Sequence, residues 1–182
     1  MIAVHARYRG REKGRAAFVE SSAHALSTLP GVSPFEIVGV EDIRTTVDGP
    51  ETALNLVMAL LSDGNWAIGL GITRRRRAEF AATEAVGTRA AQVRVITDAT
   101  ATDTESEDIS ATFALLAYIL HKRTYEGREA TALVRSGLNQ NEAAAELGIS
   151  KQAMSQRLQA AGWQAEQAGW KLALHLIRRA AQ

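Results

Sequence analysis

Residues 138–162, LNQNEAAAELGISKQAMSQRLQAAG, leave few folds open. Asn139 with Glu142 three residues on predicts a reciprocal capping box opening a helix. Ala143, Ala144 and Leu147 form the buried face of that helix, and Gly148 stands where it should end in a left-handed residue. Ile149 fills the corner, and Ser150 caps a second helix over 150–159 that turns Met154 and Leu158 inward. Two helices joined by a turn of about three or four residues at roughly 90–120° must approach closely, which calls for the small side chain of Ala144. The segment is expected to be a helix-turn-helix. Residues 126–136, burying Ala130, Leu133 and Val134, supply its supporting helix.

The outward face of the second helix then carries Lys151, Gln152, Ser155, Gln156 and Arg157, all hydrogen-bond donors and none acidic. Glutamine pairs bidentately with adenine in the major groove, and lysine and arginine reach guanine or phosphate. The N-terminal half of such a helix is the part that enters the groove. The expected DNA-binding residues are Asn139, Gln140, Ser150, Lys151, Gln152, Ser155, Gln156 and Arg157. An αα-hairpin that only packs, with a solvated outer face, is the competing reading. Charge leans the same way as the motif. Residues 121–182 hold 9 Lys/Arg and 5 Asp/Glu, a net of +4, whereas the remainder holds 12 and 15, a net of −3.

Upstream the pattern changes to α/β. An apolar strand over residues 1–4 precedes a basic stretch (Arg7, Arg9, Arg11, Lys13, Arg15) and a helix burying Phe18, Val19, Ala23 and Leu26, which Pro30 and Gly31 stop. Residues 35–47 alternate as a bent strand or a hairpin. Asp48-Gly49-Pro50-Glu51 starts a helix with an Asp cap and Pro at its first position, and Leu54, Val57, Leu60 and Leu61 line one face. Residues 66–73 form a strand with Gly69 and Gly71 on one face. This order predicts a small ferredoxin-like or cyclase-like α/β sandwich with helices on one face of a mainly antiparallel sheet.

Residues 85–96 fit a helix through Val86, Ala90 and Val93 better than a short strand through Val93 and Val95. A linker is expected over 99–107. Thr104 with Glu107 forms a capping box before a helix over 106–122. The chain is thus read as α+β: an α/β sandwich for dimerisation or sensing over 1–98, and an all-helical DNA-binding domain over 108–182. Trp163, Trp170, Leu174 and Ile177 recur at heptad-like spacing, either to pair two subunits or to pack on the 106–122 helix.

With these residues in view, the chain resembles the SatD-like family, in which an α/β domain related in fold to class III nucleotide cyclases precedes a helix-turn-helix. Arg123 and Thr124 followed by GLNQNEAAAELGISKQAMSQRL match the C-terminal pattern; WAIGLGIT and VEDIRTTVDGPETAL are similar to N-terminal segments. Where the family carries Asp at the end of its first strand, this chain has Val4-His5-Ala6-Arg7, and Val40-Glu41-Asp42-Ile43 keeps acids but loses the glycine. Cyclases hold Mg²⁺ between two such carboxylates, so the resemblance implies the fold and a DNA-binding role and lends no support to cyclase activity.

Little else points to chemistry. The chain has no cysteine, which excludes thiolate metal sites, disulfide scaffolds and cysteine nucleophiles and fits a reducing cytoplasm. His5, His24, His121 and His175 lack metal-ligand spacing, and no nucleophile-elbow, P-loop or zincin phrase occurs. No catalytic residue, metal or cofactor is expected. The start MIAVHARYRG lacks the apolar core of a signal peptide, and the apolar run at 113–120 is far shorter than the ~20 residues of a membrane span. Arg74, Arg75, Arg76 and Arg77 must stand on an exposed loop, as candidate contacts to phosphate beside the helix-turn-helix, to another anionic ligand or partner, or to solvent. The expectation is a cytoplasmic, homodimeric bacterial transcriptional regulator that binds double-stranded DNA, with room for a small-molecule effector. A cyclase-like nucleotide- or metal-binding protein and a protein–protein adaptor are the alternatives.

Overall fold

A computed structural model describes residues 1–98 and 104–182. They form strands β1 (Ile2–Tyr8), β2 (Glu36–Ile37), β3 (Asp42–Val47), β4 (Trp66–Ile72) and β5 (Val93–Thr97). The helices are α1 (Arg15–Leu26), α2 (Pro50–Asp63), α3 (Ala78–Ala85), α4 (Glu105–His121), α5 (Tyr125–Arg135), α6 (Gln140–Glu146), α7 (Lys151–Ala160) and α8 (Trp163–Ala180). The protein is mixed α+β. Its sheet runs β2-β3-β1-β4-β5, antiparallel except for the parallel β4–β5 pair. The expected strand or hairpin at 35–47 is the β2–β3 hairpin.

Strand alternation divides the sheet into two unlike faces. Ile2, Val4, Ala6 and Tyr8 of β1 and Trp66, Ile68, Leu70 and Ile72 of β4 face one side and enter the main core with Leu54, Leu56 and Val57 of α2. Tyr8, Phe18 and Trp66 stack edge and face within it. The opposite side of β4 shows Ala67, Gly69 and Gly71, a smooth strip against which α3 lies, with Ala3, Ala78 and Ala82 buried between. Helices therefore cover both faces of the sheet, not one, because β4 alternates bulky and side-chain-free positions.

The helix expected over 85–96 is a second correction. α3 ends at Ala85, Ala91 adopts a left-handed φ of 57°, and β5 follows, with Ile68 opposite Val93 and Ile72 opposite Thr97. A parallel neighbour needs a crossover, and α3 supplies it. Two expected caps differ as well. α2 begins from an extended Gly49 without side-chain capping by Asp48, though Pro50 does occupy the first turn. Thr104 caps no backbone N–H of α4, and its hydroxyl bonds the Asp108 carboxylate 3.1 Å away.

The expected boundary near 99–107 does not separate two cores. Residues 99–103 of that linker lie outside the described residues, and Glu105 already opens α4. Ile109, Phe113, Leu116 and Leu120 of α4 and Ala173, Leu174 and Ile177 of α8 share the core of the sheet. The helical segment is thus divided: α4 and α8 belong to the body, while α5, α6 and α7 form a small unit around Ala130, Ala143, Ala144, Met154 and Leu158. The α8 stripe packs inside the chain, Trp170, Leu174 and Ile177 in the body and Trp163 against the small unit. Gly169 lets α8 lie close, since a Cβ there would come within 2.8 Å of Leu116. Among the described residues no helix is long and apolar enough to cross a membrane.

Candidate functional site

The unit α5–α7 is built by local rules. Thr124 caps α5 by accepting from the Gly127 N–H at 3.2 Å. Asn139 accepts from the N–H groups of Asn141 (2.9 Å) and Glu142 (3.1 Å), and the Glu142 carboxylate accepts from the Asn139 N–H at 2.8 Å. That reciprocal box satisfies donors the first turn of α6 would otherwise leave open. Gly148 turns the chain at φ 63°, where open space surrounds a would-be Cβ, so the backbone angle and not crowding requires glycine. Ser150 then caps α7 by accepting from the Ala153 N–H at 3.1 Å.

Lys151, Gln152, Ser155 and Gln156 are all exposed. At about 100° per residue they cover a continuous arc of about 140° on α7, and the buried Leu158 and Met154 lie about 20° and about 60° beyond its Lys151 edge. Asn139 and Gln140 are exposed at the start of α6, and Ser150 is exposed at the head of α7. Arg157 departs from expectation. It lies about 100° past Gln156, outside the arc, and is half-buried. Its charge bears on Glu126 of α5, whose carboxyl sits below its ordinary value mainly through backbone and Thr124 hydrogen bonds, with Arg157 adding to them. Gln159, which is exposed, falls inside the arc instead; its spacing of four from Ser155 and seven from Gln152 was the available signal.

A buried ion cluster fixes this unit to the body. Arg123, 7% exposed between α4 and α5, donates Nε to the Ala161 carbonyl (2.8 Å) and a second nitrogen to Glu166 of α8 (2.5 Å). Glu166 accepts a second bond from Arg135 of α5 at 2.6 Å, and the Arg135 guanidinium lies 5.6 Å from the Trp163 ring centre. Each link sits at an end or a face of α5, α7 or α8, so the cluster sets how α7 is presented.

The run Arg74–Arg77 is exposed, as expected, but does not adjoin α7. It follows the C-terminal end of β4, whereas α5 follows the end of α4, near Asn65 at the start of β4. Seven strand residues separate the two ends, about 23 Å. The loop is pinned at its backbone by Asp98, which accepts from the N–H groups of Arg74 and Arg75, and those two bonds hold the Asp98 carboxyl below its ordinary value. Arg76 pairs with Glu84, and Arg77 pairs with Glu79 and stacks over Phe80.

Glu41 and Asp42 are occupied by cations of the chain itself. Glu41 binds Arg9 (3.0 Å) and Arg15, and Asp42 binds Arg7 (2.7 Å) and the ring of His5 (2.8 Å). The register that sets Arg7 opposite Asp42 thus places cations where two carboxylates would have to hold Mg²⁺. Among the described residues no group of three or more metal-ligating side chains occurs.

His5 is 1% exposed between the sheet and α3, its second ring nitrogen 3.0 Å from the Thr83 hydroxyl. Burial lowers its pKa; the Asp42 bond and charge oppose this, and Arg7 and Arg44 lower it further. A base held below its unfolded value contributes stability above that value, about pH 6.5, and loses it as pH falls through 6.5 toward the folded value. Replacing His5 with Gln should therefore flatten stability against pH below about 6.5. Urea midpoints at several pH values check this, and an unchanged slope would assign the acid sensitivity to other groups.

No family model matches the sequence, and no curated protein and no solved structure matches it.

Proposed function

We propose that the protein binds double-stranded DNA, with α6 and α7 as a helix-turn-helix and α7 as the helix that enters the major groove. The observation that carries this reading is the arc of Lys151, Gln152, Ser155, Gln156 and Gln159. It is exposed, free of acids, and held on a helix whose start is capped by Ser150. A helix that only packed would have no need of five donors side by side. On this reading Gln152 and Gln156 read bases and Lys151 reads guanine or phosphate. Asn139, Gln140 and Ser150 position the helix ends on the backbone, and Arg157 steadies α7 against α5. The SatD-like resemblance agrees, and the role we assign is that of a cytoplasmic bacterial transcriptional regulator acting as a homodimer. The cations on Glu41 and Asp42 weigh against the cyclase-like alternative.

The test is a salt series of binding to genomic DNA fragments, wild type against Lys151→Ala/Gln152→Ala. A specific reader keeps a few fragments as salt rises, and the double variant loses them. Gln152→Ala alone should cost about 1–3 kcal/mol on those fragments and little on random duplex. Lys151→Ala should lower the salt slope by about 1 if it lies on phosphate. Absence of binding even at low salt, where phosphate attraction is strongest, would overturn the proposal and favour a protein-contact role for α7.

A further inference from the structure

We propose that the cleft between α2, α5 and α8 binds a small aromatic carboxylate and that its occupant sets how α7 is presented. The binding half stands on the cleft alone; the regulatory half rests on the DNA-binding reading above.

The cleft has a volume of about 640 Å³, within the ~300–1,000 Å³ usual for small-molecule sites. One stripe of α2, from Asn55 to Ser62, and one stripe of α8, from Trp163 to Trp170, form its walls, and Val134 and Arg135 of α5 close it. The walls are fixed. Arg178 of α8 pairs with Glu51 of α2 beyond the cleft, and Leu54, Leu56 and Leu174 set both helices in the core. Each wall advances seven residues, about 10 Å, a length that suits a ligand of one or two rings and not a partner's helix.

The lining names the ligand's chemistry. Met58, Ala59, Trp163 and Trp170 give the cleft an apolar surface with two indoles, suited to a flat ring. Among the described residues neither indole N–H has an acceptor, so both tryptophans leave a donor over. The charge is positive. Glu166 lies between Arg123 and Arg135, each of its oxygens taken by one of them, so the three carry one positive charge in excess. Among the described residues no other charged side chain lines the cleft. Only one nitrogen of Arg135 meets a protein acceptor, and its side chain is half exposed. A carboxylate at that guanidinium completes the neutralisation with a charge-assisted, two-pronged bond. A cationic ligand would find both Glu166 oxygens already taken and would add to the excess.

The cleft also joins two parts of the molecule. Met58 and Trp170 pack in the body, whereas Val134 and Trp163 pack with the α5–α7 unit. An occupant touches both, and a carboxylate on Arg135 draws it from Glu166, a link in the cluster that holds α7. Ligand and DNA are then coupled, each changing the other's affinity by the same factor.

The test is calorimetry on the full chain with benzoate, 2-naphthoate and 1-naphthylacetate, each against its uncharged amide. At least one acid should bind, roughly tenfold or more tighter than its amide, as a charge-assisted bond to Arg135 requires. Arg135→Met keeps the apolar stem beside Trp163 and should bring acid and amide to about the same affinity. Ala59→Trp, at an exposed position on the wall, should fill the cleft and exclude the acid. Both sites are exposed, so the variants retain the fold, and thermal unfolding verifies it. No acid bound at millimolar concentration, equal affinity for acid and amide in the wild type, or a bound acid indifferent to both variants would each overturn the binding half. On retained duplex fragments, the bound acid should shift the salt midpoint of release in the wild type and not in Ala59→Trp. A bound acid that leaves that midpoint unchanged overturns the regulatory half. Failure here is distinguishable from failure of the DNA reading: a protein that retains fragments through α7 and binds no acid defeats only this proposal. A protein that binds the acid and retains no duplex at any salt defeats the DNA role and leaves the cleft its ligand.

Discussion

Glu166→Ala should destabilise the protein by about 3–5 kcal/mol, the cost of leaving a buried charge without its partner. Glu166 is 2% exposed and accepts from two arginines, Arg123 and Arg135. Arg123 lies buried between α4 and α5, so water cannot replace the lost carboxylate there. Arg135→Ala removes only the partner whose side chain is half exposed and should cost about 1 kcal/mol or less. The two variants together separate a buried pair from a screened one. Urea denaturation of each checks the magnitudes. Because Arg123 also holds the Ala161 carbonyl at the end of α7, amide exchange in α5–α7 should accelerate in Glu166→Ala before the sheet is affected. Equal stability of Glu166→Ala and Arg135→Ala would mean that Arg123 finds another partner, and the cluster would not be what anchors α7.

Much of the α5–α7 unit was legible in the sequence because its determinants are local. The Asn139–Glu142 box, the left-handed Gly148 and the Ser150 cap each act within four residues, and each stands where the spacing placed it. What escaped was set by partners far along the chain. β5 takes its strand conformation from pairing with β4, some 25 residues earlier, and nothing inside residues 85–96 records that partner. The occupancy of Asp42 by His5 and Arg7 depends on the register of β1 against β3, and nothing within residues 40–43 records those neighbours. Arg157 was assigned to the outer face by residue type, where its angle on the helix should have decided. The same angle would have found Gln159. The boundary placed between two domains failed for a related reason: α4 and α8 read as helices of one segment, yet their apolar faces fit the sheet better than they fit the short helices between them.

Gly69→Ala should cost about 3 kcal/mol, at the upper end of what an added methyl in a packed interior usually costs. A Cβ at Gly69 would overlap the Ala82 carbonyl oxygen and stand 2.6 Å from the Val86 nitrogen; at Gly71 it would overlap the Ala78 carbonyl and stand 2.7 Å from the Ala82 nitrogen. These are main-chain atoms of α3 and its end, with no rotamer to turn aside, so relief requires the whole helix to lift from the sheet. Lifting it has a second consequence. Thr83 of α3 meets the His5 ring at 3.0 Å and the Arg44 guanidinium at 2.9 Å, and these contacts close the layer that buries His5. Gly69→Ala should therefore also weaken the loss of stability below pH 6.5, since a better-hydrated His5 titrates nearer its unfolded value. Gly49→Ala is the matched control: open space surrounds that position and its φ of −178° suits any residue, so a change beyond about 0.5 kcal/mol is not expected there. Urea midpoints at pH 7.5 and 5.5 for the three proteins test both effects. A Gly69→Ala protein as stable as Gly49→Ala would show that α3 yields without strain, and the close seating of helix on strand would then be no reason for the glycines.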